Sequence, residues 1–177
     1  MAKVGFIRDK LDIKMLVLYL LDRAVGPVDF DTLTDLVMRH EGAEYFDFAE
    51  ALGELVTSGH LVEDSQGYTI TEKGRINSAA CEGSLPYSVC QRCDRDLIPI
   101  NAALRRAAQI RGEKRENRDG SVVAKLSLDD DGGNLLTIEL LCPSSDQADR
   151  LIAGFKARPE AVYHKVLEAL TAPGKEN

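Results

Sequence analysis

The chain has 177 residues, 44% hydrophobic and 29% charged, with no Trp and a formal net charge of −7. That length suits one domain or two small ones, and the composition excludes a chain disordered throughout. No apolar run approaches the roughly 18 residues of a membrane span, charges interrupt any leader-like stretch at the N-terminus, and four cysteines are too few to staple a chain this long, so no membrane association and a cytoplasmic location are expected.

Asp12 can cap a first helix whose apolar positions Ile13, Leu16, Val17, Leu20 and Leu21 form one stripe, ended by Gly26-Pro27. Val28-Asp29-Phe30 reads as a short extended piece. Asp31 can cap a second helix carrying Leu33, Leu36 and Val37, broken at Gly42. Asp47, with Glu50 three residues on, predicts the start of a third helix with Phe48, Leu52, Leu55 and Val56 inward and Gly59 at its C-terminus. Leu61–Asp64 and Tyr68–Ile70 flank Ser65-Gln66-Gly67 as a hairpin, after which Thr71 caps a fourth helix fading near Gly83.

The order is helix, short strand, helix, helix, hairpin, helix. The stretch Leu52-Gly53-Glu54-Leu55-Val56-Thr57-Ser58-Gly59-His60-Leu61-Val62, followed by Tyr68-Thr69-Ile70-Thr71-Glu72-Lys73-Gly74, closely resembles the third helix, wing and closing segment of winged-helix regulators such as the MarR and PadR families. The whole chain looks most like an uncharacterised bacterial winged-helix family, catalogued as a domain of unknown function. The resemblance covers about residues 10–80 and implies a winged helix-turn-helix. Winged helices also serve as protein-binding modules, so fold alone does not decide function.

Beyond residue 80, Leu97 to Arg118 reads as one helix with Ile100, Leu104, Ala107 and Ile110 on a face, ended by Gly120. Val122–Leu128 and Leu135–Leu141 predict a hairpin around Asp129–Asn134. Ser144 caps a helix over Asp146–Ala157, and Pro159 opens a last one with Val162, Val166, Leu167 and Leu170 inward; the tail from Ala172 is expected to fray. The predicted class is α+β: a winged-helix domain at 1–80, a linking or dimerisation helical segment at 81–120, and a small hairpin-plus-two-helices domain at 121–177.

Charge sits unevenly on this plan. Residues 1–80 carry 8 basic and 14 acidic side chains, net −6; residues 81–120 are net +2; residues 121–177 are net −3. A groove-reading helix needs cations or neutral donors against phosphate. Phe48–Ser58 contains no Lys or Arg, and Glu63-Asp64 precede a tip without a base. Candidate DNA contacts are therefore Arg39, His40, Thr57, His60, Lys73 and Arg75, with Lys3, Arg8, Lys10 and Lys14 on the flank. Arg111, Lys114, Arg115 and Arg118, at i, i+3, i+4 and i+7, share one helix face, and Ile100, Leu104, Ala107 and Arg111 are the candidate dimerisation residues.

Cys90-Gln91-Arg92-Cys93 is one C-x-x-C; with Cys81 and Cys142 it makes a four-thiolate zinc site arithmetically possible, but a zinc ribbon shows two close pairs, so reduced thiols and no metal are expected. Phosphate-cradling glycine loops, nucleophile elbows and spaced His pairs are missing, so neither catalysis nor a cofactor is expected. Two functions fit: a dimeric transcriptional regulator binding double-stranded DNA, or a winged-helix protein-interaction module without DNA binding.

Overall fold

The computed structural model describes residue 7 and residues 9–172. Lys3, Arg8 and the tail beyond Ala172 lie outside the described residues. Among the described residues the fold is α+β, with seven α-helices and two small antiparallel sheets, and the chain divides into two compact units, Met1–Arg105 and Arg106–Asn177.

In the first unit, α1 (Lys10–Arg23) is capped by Asp9, whose Oδ1 accepts from the Asp12 N–H at 2.9 Å. Asp12 is thus inside the first turn, where a carboxylate favours the positive end of the helix dipole, and is not the cap. Residues 16–21 are all buried, well beyond the single stripe expected. A helix apolar on every side is a central one, and α1 packs against α2 (Phe30–Met38), α3 (Tyr45–Thr57), α4 (Glu72–Cys81) and the second hairpin strand. The cap of α2 is Asp29 rather than Asp31: its two carboxylate oxygens accept from the Thr32 N–H and hydroxyl at 2.9 and 2.7 Å. The α3 helix starts after Glu44 with no side-chain cap, so the box predicted at Asp47 and Glu50 does not form. Phe48, Ala51, Leu52 and Leu55 pin α3 to the core.

Strands β1 (Leu61–Asp64) and β2 (Gly67–Ile70) pair antiparallel, Leu61 opposite Ile70. Val28 adds a third rung: its N–H donates to the Tyr68 carbonyl at 3.1 Å, and the Tyr68 N–H returns a bond of 2.8 Å. Gly67, at φ +131°, lies so close to Val28 that a Cβ there would fall 2.6 Å from the Val28 carbonyl carbon and nearer still to its oxygen. Thr71 closes the hairpin and starts α4, its hydroxyl accepting from the Gly74 N–H at 3.1 Å.

The helix read as Leu97–Arg118 is displaced. Helix α5 runs Tyr87–Gln109, with Pro99 inside it, and Val89, Cys93 and Leu97 are its buried line. Ile110–Glu116 is instead a strand, β3, paired in register with β4 (Val122–Asp130) from Ile110 opposite Leu128 to Glu116 opposite Val122. Gly120, at φ +82°, turns the β3–β4 hairpin instead of ending a helix.

The second unit is therefore a three-stranded sheet in the order β3-β4-β5, with β5 at Gly133–Cys142, not a lone hairpin. Helix α6 (Ser145–Ala157), capped by Ser144, lies over β3 and β4. Gly112 admits it: a Cβ there would meet Ile152 at 2.6 Å. Helix α7 (Pro159–Thr171) follows, but only Pro159 is buried in it. Val162 packs against the core, whereas Leu167 and Leu170 stay exposed, contrary to the inward stripe predicted.

Candidate nucleic-acid interface

Helix α3 and the β1–β2 hairpin frame the surface on which the sequence placed its DNA contacts. Along α3 the exposed positions are Tyr45, Phe46 (83% exposed), Glu50, Gly53 and Thr57. Gly53 has open space beyond its Cα, and the Thr57 hydroxyl bonds back to the Gly53 carbonyl at 2.9 Å. Of these positions only Glu50 carries a charge.

Two of the three acids of α3, Glu50 and Glu54, meet lysines of α1. Lys10 of α1 reaches Glu54 at 2.8 Å and Glu50 at 3.1 Å, and Lys14 pairs with the second Glu54 oxygen. Two cations and two carboxylates cancel there. The Lys10 and Lys14 ammonium groups hold the Glu54 carboxyl down at about 2, and Glu54 in turn raises Lys10. A carboxyl whose folded value lies below its unfolded value stabilises the fold above the unfolded value, near 4.5, and that contribution is lost as pH falls toward 2. We expect carboxyl-detected NMR to titrate Glu54 near pH 2, and Lys10→Met to move that midpoint upward; an unmoved midpoint in the variant would contradict the pairing.

The remaining candidates separate into surface and core. Arg39 is exposed and pairs with Asp96 at 3.4 Å, and Arg75 pairs with Asp22 at 2.8 Å. Lys73 donates to the Ser58 carbonyl at 2.6 Å, at the C-terminal end of α3, where a cation suits the dipole. His60 sits between the Ser58 hydroxyl and the Asn77 amide, both at 2.7 Å. His40 does not lie on this surface. It is buried, with Nε2 3.5 Å from the Cys93 thiol. Burial, helped by the Arg92 charge, lowers its pKa. Because the unfolded chain protonates near 6.5 and the folded one resists, stability falls as pH drops below about 6.5. We expect a melting curve series to show this decline and His40→Gln to flatten it; an equal decline in the variant would assign it elsewhere.

The dimerisation candidates do not share one face. Ile100 and Leu104 pack on the core of the first unit, Ala107 is exposed, and Arg111 lies in β3, paired with Asp129 at 2.6 Å. Lys114, read as helical beside it, pairs with Asp149 of α6 at 2.8 Å.

Cys93 is buried and its thiol is pushed up to about 12, first by desolvation. Cys90 is half-buried one turn away, and Cys142 belongs to β5 of the second unit. Among the described residues no group of three or more His, Cys, Asp or Glu side chains is placed to hold a metal ion.

Sequence reasoning missed a cleft of about 750 Å³ in the first unit, lined by Tyr19, Arg23, Leu85, Tyr87, Cys90 and Asp94 among others. Arg23 stacks 3.6 Å over the Tyr19 ring, and the Tyr19 hydroxyl donates to Asp94 at 3.0 Å. Burial keeps that phenol protonated well above its usual range. The partners are 75 positions apart, so no local pattern signals them.

No helix among the described residues is long and apolar enough to cross a membrane. A family model described as a domain of unknown function (DUF4364) matches residues 13–170. Neither the curated proteins nor the solved structures contain a match.

Proposed function

From the premise that the chain belongs to the DUF4364 family, we propose that its first unit is a winged helix and that the protein is a dimeric DNA-binding transcriptional regulator. The Val28–Tyr68 rung supports the fold reading: it ties a short strand before α2 to the hairpin, as a wing requires. The observation that carries the function is the pairing of Lys10 and Lys14 with Glu50 and Glu54. It neutralises two of the three acids of α3, Glu50 and Glu54, beside the small, neutral and exposed Gly53 and Thr57. Exposed ion pairs are worth only about 0–1 kcal/mol, so Arg39 and Arg75 can exchange their carboxylates for phosphates while Lys10 and Lys14 stay on Glu50 and Glu54.

Fluorescence anisotropy with a random duplex tests this. Binding is expected at low salt, with log affinity falling linearly against log salt by about 0.9 per phosphate neutralised. Lys73→Ala is expected to shallow that slope by about 1. An anisotropy that stays at the free-duplex value at the lowest salt would reject DNA binding.

A second reading, the protein-interaction module, draws on a specific feature: Phe46 and the half-exposed Tyr45 stand at the start of α3 beside Glu44 and Asp47. Exposed aromatic anchors ringed by charge are typical of partner surfaces. Under that reading Phe46→Ala abolishes capture of the partner while Lys73→Ala does not.

A further inference from the structure

We propose that a second copy of this chain docks through one two-fold interface made by the free edge of β5 and the open face of α7. The proposal rests on the dimeric part of the reading above and moves the contact from α5 to the second unit.

The sheet order leaves two edges, β3 and β5. Their chemistry is opposite. Strand β3 reads Ile-Arg-Gly-Glu-Lys-Arg-Glu, five charges in seven residues, the usual protection of an edge against further pairing. Strand β5 reads Gly-Asn-Leu-Leu-Thr-Ile-Glu-Leu-Leu-Cys, one charge in ten. Leu135, Leu140 and Leu141 are exposed on it, Leu141 to 71%. A long apolar edge with unpaired backbone groups is a template for another strand.

Helix α7 leaves a matching surface open. Tyr163, Val166, Leu167 and Leu170 recur at i, i+3, i+4 and i+7, one helix face. Its first turns are held: Val162 and Tyr163 pack on Leu126, Leu128 and Phe155, the cluster that Leu136 and Ile138 of β5 also join. The distal end is not, and Leu170 is 77% exposed.

The α7 sequence fits itself. An antiparallel pairing centred between Val166 and Leu167 sets Tyr163 against Leu170 of the partner subunit and Val166 against Leu167 of the partner subunit. It also sets Lys165 against Glu168 of the partner subunit, twice by symmetry. Neither Lys165 nor Glu168 is ion-paired to another described residue. A parallel pairing would oppose like charges. Reciprocal matching of one patch with itself is the requirement of a two-fold dimer, and an unrelated partner would impose no such pattern. Placed about the same axis, two β5 edges would run antiparallel and extend the sheet from three strands to six.

Sedimentation velocity on the full chain tests the proposal. The chain is expected at twice its 19.4 kDa mass. Leu167→Glu/Leu170→Glu and, separately, Leu135→Lys/Leu141→Lys are expected to weaken self-association at least about tenfold with unchanged circular dichroism. Glu168→Lys is expected to weaken it, and Lys165→Glu/Glu168→Lys to restore it, a rescue that misfolding cannot mimic. A wild-type chain that is monomeric at micromolar concentration overturns both this surface and the dimeric reading. A dimer that survives every substitution, or a charge swap that fails to rescue, overturns the surface alone. Loss of duplex binding with the dimer intact would count against the DNA reading only.

Discussion

Gly67→Ala is expected to lower the melting temperature of the first unit by about 15 °C and, with it, to abolish the duplex binding proposed above. Two effects add. The φ of +131° is one that L side chains rarely adopt, and holding alanine there costs about 1–3 kcal/mol. The new methyl would also enter the Val28 peptide, within 2.6 Å of its carbonyl carbon and 2.8 Å of the Asp29 nitrogen. Those are backbone atoms that cannot swing aside as the end of a side chain would, and overpacking of this kind costs about 1–3 kcal/mol more. A total near 3 kcal/mol, at about 4–8 °C per kcal/mol for a unit of this size, gives the shift. The strain is relieved by opening the Val28–Tyr68 rung, so the hairpin should lose its position relative to α3 before the helices melt. Amide exchange at Val28 and Tyr68, whose N–H groups make the two bonds of that rung, should accelerate first. Gly53→Ala is the control. Nothing lies within 4 Å of its added methyl, and exchanging glycine for alanine inside a helix adds about 0.5–1 kcal/mol. Equal destabilisation by both substitutions would contradict the close approach at Gly67.

The contrast between these two glycines shows where the sequence is informative. Gly59 could be placed at a helix end because a C-terminal glycine has a local signature, and its φ of +73° agrees. The helices before it were legible from apolar spacing, since Leu33, Leu36 and Val37, or Phe48, Leu52 and Leu55, record which face is covered. Strand β3 had no such record. Arg111, Glu113, Lys114, Arg115 and Glu116 are charged, so neither a period of two nor one of 3.6 shows in apolar positions, and the charged residues favour helix on propensity alone. Its pairing with β4 decides the matter, helped by Gly112, which makes room for Ile152. The candidate interface was half legible for the same reason. Lys73 and Arg75 follow the hairpin and fall on the surface. His40 ends in the core because Cys93, 53 positions away, packs on it. The pairing of Lys10 with Glu54 spans 44 positions, and the sign of the α3 surface depends on it. Counting charges along α3 could only return its acids, whereas the neutralisation of Glu50 and Glu54 is a property of α1.

Phe155→Ala is expected to unfold the second unit while the helices of the first remain protected. Phe155 is 2% exposed and fills the cluster of Leu126 and Leu128, ringed by Ile110, Leu136, Ile138, Ile152, Val162 and Tyr163. Truncating a buried phenylalanine costs about 3–5 kcal/mol, part lost transfer energy and part cavity. A unit as short as Arg106–Asn177 is of the size at which one core supplies about 3–5 kcal/mol in all. The loss and the reserve are therefore equal, and neighbouring side chains have little latitude to close the gap. Gly112 holds the β3 backbone against Ile152, and the β4 side chains are fixed by ladders on both edges. Hydrogen exchange should lose protection over residues 110–171 and keep it over residues 10–97. Phe155→Leu, which keeps most of the volume, should retain protection in both. Cooperative loss over the whole chain in Phe155→Ala would show that the two units fold as one. Retained protection over 110–171 would mean that the sheet and α6 hold together without the ring, which the packing around Leu126 and Leu128 argues against.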